Sequence, residues 1–139
     1  MLAALSLTHD TTSTAGILLV AVVAIEYGGT FMLKVVRGKV PLTSFQRAFS
    51  RAGHAHAGVL VILSLVALLY ADAADLSGAA DTLARNAIPL AAILIPAGFF
   101  FSMIGRDRTA PSRWIALVWA GAMSLAVGVS ALGIGLLTA

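Results

Sequence analysis

A helix that crosses a bilayer needs roughly 20 mostly apolar residues at about 1.5 Å each. This chain has four such stretches, over residues 14–36, 52–71, 87–105 and 114–137. Arg37, Gly38, Lys39 and Pro41 close the first, and Asp72, Asp75, Ser77 and Gly78 close the second. Arg106, Asp107, Arg108, Pro111 and Ser112 separate the third from the fourth. Loops this short make neighbouring helices antiparallel, and lipid leaves a spanning helix to satisfy its own backbone groups. The expected fold is therefore all-α: a four-transmembrane-helix antiparallel bundle forming one integral membrane domain over residues 1–139. Composition agrees, since 60% of the chain is hydrophobic and 11% is charged, against about 25% charged in soluble domains.

Cations set the expected orientation. Lys34, Arg37, Lys39, Arg47 and Arg51 flank the first loop and Arg106, Arg108 and Arg113 the third, whereas the second has Arg85 alone. The positive-inside rule then places loops one and three in the cytoplasm and both termini outside, for a multi-pass protein of the cell inner (plasma) membrane. The net charge of +3 reflects that asymmetry. It does not form the cationic face that tracks phosphates, so nucleic acid is not an expected partner. The absence of cysteine excludes disulfides, thiolate metal sites and cysteine nucleophiles. The opening residues, MLAALSLTHD, lack the cationic start of a signal peptide and read as an exposed or interfacial segment, with His9 unstructured.

Local signals refine the helices. Thr43 or Ser44 is placed to cap a helix that starts at Phe45 and runs unbroken into the second span. Arg47 and Arg51 would snorkel from this amphipathic interfacial segment to the phosphates. Pro96 predicts a kink in the third span. In the fourth, Ala120, Ser124 and Gly128 recur every four residues as a packing stripe of small side chains. Asp72, Asp75, Asp81 and the Arg106-Asp107-Arg108 run read as solvated anchors at loop ends.

Glu26 is the residue most suggestive of chemistry, because it falls near the middle of the first span. A carboxylate there costs about 2.5–3.5 kcal/mol on insertion scales unless it is neutral, paired or facing a cavity. It reads either as a site that exchanges a proton or cation, or as a protonated side chain holding a neighbouring helix. Tyr27 follows it, and Gly28 and Gly29 permit close approach. His54 and His56 open the second span. Side chains two apart on a helix of 3.6 residues per turn point about 200° apart, so the two histidines cannot grip one ion together. Each needs its own partner, and one can approach Glu26 if the first two helices pack side by side, although Glu26 lies about one or two turns deeper.

The segment Ala24-Ile-Glu26-Tyr-Gly-Gly-Thr30-Phe-Met-Leu-Lys34 resembles the first helix of the small multidrug resistance transporters. That resemblance, confined to residues 24–34, implies that Glu26 binds protons and cationic substrates in competition. The His54-Ala-His56 stretch is similar to a histidine-bearing helix of haem-copper oxidase core subunits, which implies haem ligation. The chain as a whole resembles small four-helix bacterial membrane proteins.

Three readings remain open. The first is proton-linked transport of a small molecule or cation, with Glu26 as the exchanging carboxyl and His54 or His56 as relay. Because four spans enclose little volume, that reading carries a homo-oligomer in the lipid bilayer. The second is a haem- or transition-metal-binding protein that uses His54 and His56 with Glu26 or Tyr27. The third is a structural accessory subunit packed through Ala120, Ser124 and Gly128. No nucleophile elbow, phosphate loop or zinc-protease motif is present, so no catalysed reaction is indicated.

Overall fold

The computed structural model describes residues 6–74 and 76–138; Asp75 and residues 1–5 of the opening segment lie outside them. Four helices follow one another: α1 (His9–Val36), α2 (Ser44–Ala73), α3 (Gly78–Met103) and α4 (Ala116–Thr138), the last entered through a 3-10 turn at Arg113–Ile115. Each is long and apolar enough to cross a membrane, counting the turn with α4, and the protein is a multi-pass helical membrane bundle.

The helices outrun the apolar stretches at several ends, because polar side chains cap them. Thr8 accepts from the Thr11 amide and starts α1 at His9, so His9 is helical rather than unstructured. α2 is continuous from the interfacial segment into the membrane, as its sequence predicts. Thr43 and Gln46 form a reciprocal capping box, each side chain bonded to the other's backbone amide. α3 starts nine residues before the apolar stretch and passes through both Pro89 and Pro96.

The bundle is uneven. α3 sits in the middle, packed on α2 and α4, while α1 leans mainly on α2. Two apolar clusters form the core: Leu18, Leu60, Val61, Leu68, Ala91, Ala92 and Ile95, and nearer the α2–α3 turn Ala67, Ala71, Ala84, Ile88 and Leu132. α3 and α4 meet backbone to backbone. A β-carbon on Gly98 would lie 2.6 Å from the Val118 amide nitrogen, and one on Gly121 would lie 3.0 Å from that of Ile95. Gly128 is as crowded, against Ile88, and the Ser124 hydroxyl donates to the Ala87 carbonyl at 2.8 Å. Of the expected packing stripe, Ser124 and Gly128 face α3 and Ala120 is exposed. Gly121 takes its place, because a repeat of four drifts off a helix face that turns every 3.6 residues.

Polar contacts fasten both ends. At the basic end, where the α1–α2 and α3–α4 loops lie together, Gln46 donates to the carbonyls of Met103 and Gly105 at 3.0 and 2.8 Å. The Thr43 hydroxyl donates to the Arg108 carbonyl there. At the opposite end Arg85 reaches Asp72 at 2.7 Å, pairs with Asp81 one turn before it, and donates to the Thr11 hydroxyl at 2.7 Å. Asp72 also accepts from the amide and hydroxyl of Thr8, each at 3.1 Å. The side chains of Asp72 and Arg85 are only 2% and 12% exposed. The sequence reading of Asp72 and Asp81 as solvated anchors is thus corrected: both belong to an ionic knot joining α1, α2 and α3.

Candidate functional site

The α1–α2 seam brings the chemistry-bearing side chains together. α1 turns Leu18 and Ile25, seven residues apart, onto α2, the spacing that keeps one helix face on a neighbour. One turn further along come Gly28 and Gly29, and the His54 ring lies across them. Its Nδ1 is 3.6 Å from where a β-carbon on Gly28 would stand, and its Nε2 is 3.7 Å from the equivalent point on Gly29. A β-carbon at either point would stand at ordinary contact distance, so the imidazole lies against α1 at the level of the glycine pair.

Glu26 is two and three residues before those glycines, about 3–4.5 Å along the axis. The axial gap expected from the sequence is therefore smaller in the structure, because α1 and α2 pack in a register that sets His54 beside Gly28 and Gly29. Glu26 sits on the flank of the seam, exposed on the outer surface of the chain. The ion pairs among the described residues are His9–Asp10, Arg85–Asp72, Arg85–Asp81 and Arg106–Asp107, so Glu26 and His54 are neighbours in level without a direct bond. Tyr27 points outward with 79% of its surface exposed, and its carbonyl accepts from the Thr30 hydroxyl at 2.7 Å.

His56 faces elsewhere, as helical geometry requires. Its Nδ1 is 2.8 Å from the Ala52 carbonyl, and its ring centroid is 5.1 Å from that of Phe99 on α3. A carbonyl can only accept, so Nδ1 carries the hydrogen. Nε2 is the ring nitrogen left without a hydrogen bond to a described residue. Between the two histidines Gly53 admits α3, since a β-carbon there would meet the Phe100 ring at 3.0 Å. Among the described residues no three His, Asp or Glu side chains converge as a metal cluster.

Sequence reasoning did not find the role of Arg85, although Asp81 and Arg85 stand at i,i+4 and Arg85 is the only cation of its loop. It also passed over Gln46, whose Thr-Ser-Phe-Gln spacing is a capping-box signature.

Comparison of the chain with known protein families, with curated proteins and with solved structures gives no match, so its function is read from its own geometry.

Proposed function

We propose that the α1–α2 seam is a proton-exchange site serving transport of a small molecule or cation. Glu26 is the exchanging carboxyl and His54 the adjacent relay. The observation that carries this reading is that Glu26, the carboxylate nearest the middle of an apolar helix, lies within a turn of the level at which His54 packs on Gly28 and Gly29. A carboxylate on a lipid-facing surface is costly to leave charged. It is relieved by a proton, by a bound cation, or by a second copy of the chain covering the free face of α1. Both the exchange and a homo-oligomer follow from that one cost. Tyr27, beside Glu26 and pointing outward, then lies at the subunit boundary. The cation asymmetry supports an orientation with the basic end in the cytoplasm and both termini outside the inner membrane.

The test is uptake of a lipophilic cation such as ethidium into proteoliposomes under an imposed pH gradient. Wild-type protein gives gradient-dependent uptake, Glu26→Gln abolishes it, and His54→Ala slows it. Uptake by Glu26→Gln equal to wild type overturns the proposal. Variants that impair only assembly, with no wild-type uptake, favour the accessory-subunit reading instead.

The geometry of His56 favours a second reading. With Nδ1 held by the Ala52 carbonyl, Nε2 is the nitrogen by which this imidazole would hold a haem or a transition metal. A Soret band in the purified protein that is lost in His56→Ala and kept in His54→Ala supports it, and a colourless, metal-free protein rejects it.

A further inference from the structure

At the basic end, a cavity of about 570 Å³ opens where α3 hands over to α4, lined by Phe101, Ile104, Arg108, Ser112, Arg113 and Trp114. Its two halves differ in chemistry. Phe101 and Trp114 meet edge to face at 5.8 Å, and with Ile104 they form an apolar wall on the membrane side. Two guanidinium groups stand at the polar rim. The Arg108 chain folds over Gly105, where φ is +129° and a β-carbon would approach Arg108 Nε at 3.0 Å. Its Nε donates to the Ile104 carbonyl at 2.7 Å, which fixes the group while leaving its terminal nitrogens unengaged by any described residue. Arg113 lies 5.7 Å from the centre of the Trp114 ring. The loop's carboxylate, Asp107, is paired with Arg106 at 3.8 Å, both side chains nearly fully exposed. Among the described residues neither Arg108 nor Arg113 has a carboxylate partner.

We infer that this cavity binds an anionic phospholipid of the surrounding leaflet, its phosphate between Arg108 and Arg113 and the start of an acyl chain against Phe101, Ile104 and Trp114. The argument is complementarity at both ends. A cavity with two uncompensated cations at its rim and aromatic side chains below them matches a ligand that is an anion joined to a hydrocarbon chain. Arginine also suits phosphate through its forked donors, and basic pockets beside transmembrane helices recognise anionic headgroups. A zwitterionic lipid would satisfy the wall but would bring its own cation towards the arginines.

The protein carries its own reporter, because Trp114 and Trp119 are its only tryptophans. In a Trp119→Phe background, Trp114 fluorescence is titrated with acyl-brominated phosphatidylglycerol or phosphatidylcholine at about 0.15 M salt, where charges outside the cavity are screened. The preference for the glycerol lipid should amount to about fivefold for each arginine that reaches the headgroup. Arg113→Gln should remove about one such factor, and adding Arg108→Gln should bring the two lipids to parity. Arg106→Gln, which deletes the same charge outside the cavity, should leave the preference within about twofold of wild type. Arg113 makes no hydrogen bond to another described side chain or carbonyl, so its variant tests the site even if Arg108→Gln fails to fold. Equal quenching by both lipids in the parent protein, or an equal fall in Arg106→Gln and Arg113→Gln, overturns the inference.

Discussion

α1 and α3 are two membrane helices of similar length with opposite commitments. α3 buries eight of its 26 residues and meets α4 with no room for a β-carbon at Gly98. α1 buries three of its 28, Thr11, Leu18 and Val35, and packs mainly on α2, with Thr11 accepting from Arg85 of α3. In lipid an apolar helix face gains little from burial, so what fixes a helix is close backbone approach and polar contact. α3 has both. α1 has the ionic knot at one end and the His54 contact near the other, and its outer face carries Glu26 and Tyr27. The helix that carries the proposed exchange site is the one the fold holds least, which would suit uptake and release of a proton there.

If that contrast is right, substitutions on the α3 side should damage folding, and substitutions on the α1 face should damage only exchange. The largest loss is expected from Asp72→Ala. It leaves Arg85 with Asp81 as its carboxylate partner and takes the acceptor from the Thr8 amide and hydroxyl, and should lower the unfolding free energy in detergent by about 2–4 kcal/mol. Gly98→Ala and Gly121→Ala force α3 and α4 apart and should each cost about 1–3 kcal/mol in the same assay. Gln46→Ala removes the donor to two carbonyls of the α3–α4 connection and should cost about 1–3 kcal/mol. Gly28→Ala meets His54 at ordinary contact distance. It should leave stability unchanged or raise it by up to about 1 kcal/mol, since alanine is the better helix former. Glu26→Gln should move stability by less than about 0.5 kcal/mol while stopping pH-driven uptake. Equal damage to folding from Glu26→Gln and Gly121→Ala would erase the distinction between the two helices.

The sequence foretold the number of spans, the continuous second helix and a cap at Thr43 or Ser44, because length, hydropathy and capping are local properties. The ionic knot was less legible. Asp72 and Arg85 stand on opposite sides of a turn, and Thr8 is 64 positions from Asp72, so only the folded chain brings them together. The packing stripe was legible in kind but displaced by one residue at Ala120, an error of helical period. For the candidate site, the sequence supplied Glu26, Tyr27, His54 and His56 and the divergence of the two histidines. It did not supply the packing of His54 on Gly28 and Gly29, which depends on the register of α1 against α2.

Glu26 is the only glutamate in the chain, so labelling glutamate with carbon-13 at the side-chain carboxyl gives one resonance from the proposed site. In bilayers that resonance should shift when a lipophilic cation is added and return as the pH is lowered, because proton and cation compete for the same oxygens. A resonance that responds to neither would contradict the account.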